Sequence, residues 1–232
     1  MDEINPTCLG CKSTSNSLFR SLNEAETDYL EKSKSCNKYK RGEILYREGT
    51  RITGCYCVMS GILKIYKTGG IGKEQIIAFA KSGDITGYRS VISNEAACTT
   101  AEIIEDAVIC YIPAQVIFDL VKKNSDFSLS LMQLSCKELN QANSYIKDIA
   151  QKTVRERLAE VLLMLDKTFG TEPDGTLKVT LTREELANIV GTATESVIRL
   201  LSDFKSEKLI GLSGKKIQLL NKALLNKISN FT

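Results

Sequence analysis

The 232-residue chain contains no histidine. Without imidazole there is no Ser-His-Asp or Cys-His nucleophile pair and no His-ligated metal, which removes many hydrolytic and metalloenzyme chemistries. Tryptophan is also absent, and proline occurs only three times. No apolar run reaches the 18 residues that a membrane-spanning helix needs, so no membrane partner is expected. The opening Met-Asp-Glu-Ile-Asn-Pro has no basic stretch ahead of an apolar one, so no secretory signal is read and a cytoplasmic location is expected. The Gly-x4-Gly-Lys-Ser/Thr pattern of a phosphate loop is missing as well. With neither a nucleophile–base pair nor a phosphate cradle to place, the chain is not expected to be an enzyme.

What is present is ordinary for a globular chain: 43% hydrophobic residues and 25% charged. The net charge of +3 is unevenly spread. Residues 1–146 hold 17 basic and 17 acidic side chains, whereas residues 147–232 hold 14 basic and 11 acidic. From Arg199 onward there are seven basic residues against two acidic, a local bias that suits phosphate neutralisation and equally a solvated face. The eight cysteines read as thiols and not as a disulfide framework, given the expected compartment. Cys55 and Cys57 share one face of an apolar strand and read as core.

Residues 18–39 read as a helical segment, with Asn23 as N-cap and Glu26 as its capping partner. Residues 40–113 have another texture. Nine glycines between Gly42 and Gly87 separate short β-type runs at Glu43–Tyr46, Cys55–Met59, Ile62–Lys67, Glu74–Phe79, Thr99–Ile104 and Val108–Ile112. Such spacing predicts a β sandwich or barrel-like roll, with a hairpin turn at 69–72. Pro113 suits the start of a helix. A long helix follows over Ser125–Ala150, with Met132, Cys136, Leu139, Asn143, Ile146 and Ala150 in steps of four and three. That narrow seam with one polar member predicts pairing with a second copy, the alternative being an amphipathic helix lying on its own domain. Another helix spans 153–169. Gly170–Gly175 is a loop, and Leu177–Leu181 alternates like a strand.

Residues 182–201 then read as two short helices joined at Gly191. The first runs from Arg183 to Val190 behind the cap Thr182 and its partner Glu185. The second starts near Thr194, burying Val197, Leu200 and Leu201 and turning Thr194, Glu195, Ser196 and Arg199 outward. This is the pattern of a helix-turn-helix whose second helix enters the DNA major groove, although a helical hairpin that merely packs would share it. Leu209–Leu220 reads as a hairpin with its turn at Ser213-Gly214-Lys215, a β wing beside the recognition helix.

The order of β roll, long helix and winged helix-turn-helix resembles the CRP/FNR family of bacterial transcription regulators over about Leu18 to Leu220. The likeness rests on Arg157-Leu158-Ala159, Leu181–Leu201 and the Leu209-Ile210…Gly214-Lys215 wing. More loosely, it rests on Lys40-Arg41-Gly42-Glu43…Gly49, Ser60-Gly61…Lys64 and Ser82-Gly83-Asp84…Gly87. The implied architecture is α+β: a cyclic-nucleotide-binding-like roll with flanking helices over 1–124, a dimerisation helix over 125–150 and a winged helix-turn-helix over 151–232.

The resemblance implies that Glu195 and Arg199 read base edges, helped by Thr194 and Ser196, while Thr182, Arg183, Thr192 and Lys215 hold phosphates. An ordinary i,i+4 salt bridge is the competing role for Glu195 and Arg199. Ile198 stands where related regulators carry Ser or Gly; it either touches a thymine methyl or turns inward. The implied partners are double-stranded DNA with a pseudo-palindromic, TGA-like operator, a second copy of the chain, and RNA polymerase. In the roll, the implied effector pocket takes in Tyr88, Arg89, Ser90 and Cys98, with Asn143 of the long helix. The Glu and Arg that anchor a cyclic nucleotide are missing, which argues against cyclic AMP, although Arg89 is placed to substitute. The oxygen-sensing branch implies an iron–sulfur cluster on Cys8, Cys11 and Cys110, but its third N-terminal cysteine falls on Ser17; Cys36 and Cys98 are the other thiols available. The rival function is a ligand or redox sensor module that acts through protein partners without specific DNA binding.

Overall fold

The computed structural model describes Cys8, residues 18–70 and residues 72–229. Cys11 and Ser17 lie outside these residues. The chain divides into two compact units between Asn140 and Gln141.

The first unit opens on a 3-10 turn, Leu18–Ser21, and helix α1, Glu24–Ser33. Asn23 caps α1 as expected. Its Oδ1 accepts the Glu26 N–H at 2.9 Å, and the Glu26 carboxylate accepts the Asn23 N–H at 3.0 Å. The helical reading of 18–39 fails at its end, because Ser35–Tyr39 is strand β1, antiparallel to β6 (Thr100–Pro113). Ser, Cys, Asn and Tyr are weak helix formers, and β6 supplies the partners that their backbone groups need.

The remaining strands are β2 (Ile44–Tyr46), β3 (Gly54–Thr68), β4 (Glu74–Lys81) and β5 (Ile85–Thr86). They join one sheet in the order β1-β6-β3-β4, with β2 on β6 and β5 on β3. The two runs expected at 55–59 and 62–67 are a single strand, as are those at 99–104 and 108–112. What reads as turns in the sequence is a series of β-bulges, where the β3–β6 register shifts around Ser60 and Ile62. Bulges let a long strand bend and remain paired. Gly61 sits there at φ +86°, and a Cβ on it would fall 2.6 Å from Ala107. The 69–72 hairpin is present: Thr68 opposes Glu74, and the Gly69 N–H donates to the Lys73 carbonyl at 2.8 Å.

Cys55 and Cys57 are buried in the core with Leu30, Tyr88, Ile117 and Phe127, and desolvation pushes the Cys55 thiol up to about 12. Helix α2 (Tyr88–Ser93) follows β5. Pro113 ends β6 and stands at the cap of α3, Ala114–Lys123. The long helix α4 spans Ser125–Gln151, close to the expected bounds, and the boundary between the two units falls inside it.

The second unit continues with α5, Val154–Phe169, closed at its start by a Thr153–Glu156 capping box. Leu177–Leu181 is not a strand. Leu177, Val179 and Leu181 are buried as the alternation requires, but the segment makes only isolated bridges, among them Thr171–Leu177. Burial sets its period, while pairing with residues 217–218 reaches only Thr176 and Leu177, where the Leu177 N–H donates to the Ile217 carbonyl at 2.9 Å, and does not extend into a ladder. Helices α6 (Arg183–Val190) and α7 (Thr194–Ser206), the hairpin β7 (Ile210–Ser213) and β8 (Lys216–Leu219), and α8 (Lys222–Ser229) complete the described residues.

Candidate nucleic-acid interface

Three local devices set the attitude of α7 against α6. Thr182 accepts the Glu185 N–H at 3.0 Å, and the Glu185 carboxylate accepts the Thr182 N–H at 2.6 Å, which fixes the start of α6. Gly191 ends it in the left-handed region at φ +73°, its N–H donating to the Ala187 carbonyl. Arg157 of α5 then braces the joint. Its Nε donates to the Val190 carbonyl at 2.9 Å, Nη1 to Lys152 at 2.7 Å and Nη2 to Gly191 at 3.5 Å. A guanidinium over the last carbonyls of a helix is favoured by the helix dipole as well as by hydrogen bonding. In the sequence Arg157 is only a family marker and its bracing role is not visible; the available signal is that α6 carries no basic residue in its own last turn.

The inner face of α7 is apolar. Val197, Leu201 and Phe204 are buried and Leu200 is half-buried, while Glu195, Ile198 and Arg199 are exposed. Thr194 and Ser196 are half-buried at the edges of that face. Among the described residues no ion pair or hydrogen bond joins Glu195 to Arg199, so the salt-bridge alternative is not realised in this structure. Ile198 points outward and is 52% exposed. At the far end of α7, Arg155 ties Glu207 at 2.6 Å and lies over the Phe204 ring at 4.8 Å.

The residues expected at phosphates behave differently from one another. Lys215 is exposed at the tip of the wing. Arg183 donates through Nη2 to the Gly214 carbonyl at 2.8 Å, and burial lowers its pKa. It therefore anchors the wing turn to the start of α6. Thr182 has its hydroxyl oxygen engaged as a cap but retains an O–H to donate. The Thr192 N–H donates to Ala187 at 3.1 Å, closing the end of α6.

In the first unit, Tyr88 is buried in the core, and burial pushes its hydroxyl pKa up. Arg89 Nε lies 3.4 Å from the Glu138 carboxylate. Ser90 is buried and its Oγ accepts the Cys98 N–H at 3.2 Å; the Cys98 side chain is exposed. Tyr88, Arg89, Ser90 and Cys98 thus share the neighbourhood of α2, whereas Asn143 belongs to the second unit.

The cysteines hold a surprise. Cys36 of β1 and Cys110 of β6 are register partners joined by a disulfide, against the expectation of thiols only. Cross-strand neighbours bring sulfurs together whatever the compartment, and sequence spacing cannot reveal a pairing across 74 residues. Cys57 opposes Cys110 on the other side. Cys8, Cys57 and Cys110 line one small, almost wholly apolar cavity, and Lys34 Nζ donates to Cys8 Sγ at 3.1 Å. Among the described residues no three Cys, Asp or Glu side chains are gathered to hold a metal ion.

A β roll followed by a long helix and a braced helix-turn-helix with a wing is the architecture of a DNA-binding regulator. The Cyclic nucleotide-binding domain family model matches residues 36–124, and the Crp-like helix-turn-helix domain model matches residues 156–228. The chain is 29% identical to the fumarate and nitrate reduction regulatory protein of Vibrio cholerae, over 96% of this chain and 90% of that protein. It is 28% identical to the protein of the same name from Escherichia coli K12, over 97% of this chain and 91% of the other. A CooA variant from Carboxydothermus hydrogenoformans superposes with a TM-score of 0.76 at 26% identity, covering 94% of this chain and 97% of that one. FixK2 from Bradyrhizobium japonicum shares the fold at a TM-score of 0.77 and 24% identity, covering 86% of this chain and 98% of its own. The chain belongs to the CRP/FNR family of bacterial transcription regulators and is a DNA-binding transcription regulator. These findings do not favour the rival reading of a sensor module without specific DNA binding.

Proposed function

We propose that two copies of this chain bind a pseudo-palindromic operator, each placing α7 in the major groove with Glu195 and Arg199 on base edges. The observation that carries this reading is that the acid and the guanidinium stand exposed on one helix face without pairing to each other. Arg199 offers two donors to guanine O6 and N7, and Glu195 accepts from an exocyclic amine, the ingredients of a TGA-like half-site. Thr194 and Ser196 flank them. Lys215, Thr182 and Thr192 contact phosphates, with Arg183 acting mainly through the wing. The second copy is called for by α4, whose Met132, Leu139 and Ile146 stand exposed in seam register. The family reading adds RNA polymerase as the protein partner and the cytoplasm as the place of action.

Gel-shift titration on selected and random duplexes tests the DNA role. Arg199→Ala should lose about 1–3 kcal/mol on the selected operator and little on random DNA, whereas Lys215→Ala should weaken both alike. Equal losses for Arg199→Ala on both duplexes would refute base reading.

The roll supplies the signal, and cyclic AMP is not the one we assign. The Arg89 guanidinium, which stands beside the roll segment expected to take its phosphate, is already compensated by Glu138. The cysteines are the better candidates. Cys8 and Cys110 share a cavity, as an iron–sulfur site would want, but the disulfide holds Cys110 to Cys36. The described donor set therefore does not fit a cluster. Thiol–disulfide exchange fits it better: a dithiol reductant gives two electrons and two protons to the Cys36–Cys110 bond, becomes a disulfide itself, and frees β1 from its covalent tie to β6. Iron, sulfide and free-thiol assays on protein prepared without oxygen test this. A four-iron load would overturn it, as would Cys36 and Cys110 remaining unpaired after air oxidation.

A further inference from the structure

The exposed strip of α7 opens on Glu195, Ile198 and Arg199, and Ser202, Lys205 and Ser206 continue the exposed side, so Ile198 is its one apolar member. Glu195, Ile198 and Arg199 stand at i, i+3 and i+4, which places them side by side on one helix face. Ile198 is 52% exposed beside the two charges, while the apolar residues of the same helix that serve the core, Val197, Leu201 and Phe204, are buried. A lone exposed isoleucine elsewhere on the molecule would ask for no explanation. Here its neighbours decide the matter. A face that approaches the floor of the major groove meets donors, acceptors and one apolar group, the C5-methyl of thymine.

We infer that Ile198 is a specificity-determining residue that recognises a thymine methyl group in each half-site. This rests on the base-reading role proposed above for Glu195 and Arg199. Three properties of the side chain fit the task. It has no donor or acceptor, so against cytosine it would cover the N4 amine without pairing it, and thymine is favoured over cytosine from both sides. Its branched Cβ leaves essentially one χ1 rotamer in a helix, so its methyl groups are held in place before DNA arrives. Its backbone sits one turn into α7, on a helix whose start and inner face are fixed by Gly191, Arg157 and the buried residues, so its direction is set by the fold. The adjacent guanidinium of Arg199 would then read the neighbouring base pair, making the two contacts consecutive letters of one word.

The experiment starts from an operator selected from a random duplex pool with the wild-type protein. Each thymine of the half-site is replaced in turn by deoxyuridine, which deletes the methyl group and leaves every hydrogen-bonding atom in place. At one position the wild-type protein should lose about fourfold in affinity per half-site, the worth of roughly one buried methyl group. Ile198→Ala should bind the thymine and uracil forms of that position equally, and Ile198→Ser should also accept cytosine there. Because residue 198 is exposed, both variants should keep the wild-type melting temperature, and circular dichroism verifies that they are folded. If wild-type binding is indifferent to every uracil, the inference falls while base reading stands. It falls equally if Ile198→Ala retains the full methyl sensitivity. If the pool yields no preferred sequence at all, the base-reading role fails and takes the inference with it.

Discussion

Arg157 spends its guanidinium on carbonyl oxygens of Lys152, Val190 and Gly191, so one side chain ties α5 to the joint of the helix-turn-helix. Arg157→Met keeps most of the aliphatic stem and removes every one of these donors. Losing a charged hydrogen bond of this kind costs about 1.5–3 kcal/mol, and the loss should appear in chemical denaturation of the DNA-binding unit. Operator affinity should fall with it, because α7 is no longer held against α6. An unchanged denaturation midpoint would mean that the clamp is idle. At this scale the sequence was legible where chemistry is local. The caps at Asn23 and Thr182, with Glu26 and Glu185 three residues on, are both realised, because a capping box is written within four consecutive residues. Contacts between distant residues were not legible. Neither the attachment of Arg183 to Gly214 nor the Cys36–Cys110 bond leaves a mark in spacing, since each depends on how separate elements are brought together.

Elements show the same division. Helices α4 to α7 fall close to their expected limits because each has its own periodicity and its own stop signals, Gly170 and Gly191 among them. In the sequence the strands of the roll look more broken than they are, since a glycine at a bulge and a glycine at a turn look alike; Gly61 is the example. β1 is not legible in the sequence because its strand character comes from β6 and not from its own residues. The seam of α4 is the element with most at stake. Leu139 is 62% exposed in the single chain, next to Met132 and Ile146 in the same row. If that row is the dimer interface, Leu139→Asp puts two carboxylates into one apolar layer and should give a folded monomer by sedimentation, with operator binding weakened in parallel. Asn143→Leu should act the other way, raising the melting temperature while loosening the preference for two strands over three or four, because a lone polar seam residue trades stability for register. A Leu139→Asp protein that stays dimeric would move the interface elsewhere.

For the whole molecule, charge and symmetry make one joint demand on the DNA. The basic excess lies entirely in residues 147–232, so phosphate attraction acts on the same unit that carries α7, and the first unit contributes none. Attraction of that kind is indifferent to sequence and to the rotational setting of one site against another. Base reading by two copies is not: two recognition helices related by a twofold axis reach successive major grooves about 34 Å apart, one turn of the duplex. An operator lengthened between its half-sites by about 5 bp turns one half-site to the far side of the helix, whereas about 10 bp restores its face but doubles the separation. The dimer should therefore lose specific affinity for both lengthened operators. The half-turn insertion should fall to the level of random DNA, about a thousandfold or more below the intact site, because only one α7 can then engage. The salt dependence should separate the two contributions: what survives the insertion should weaken steeply with added salt, as counterion release requires, since Lys215 and its basic neighbours remain on phosphates whichever way the second half-site faces. Binding that ignores the insertion would show that each copy acts alone, and the exposed row on α4 would then need another purpose.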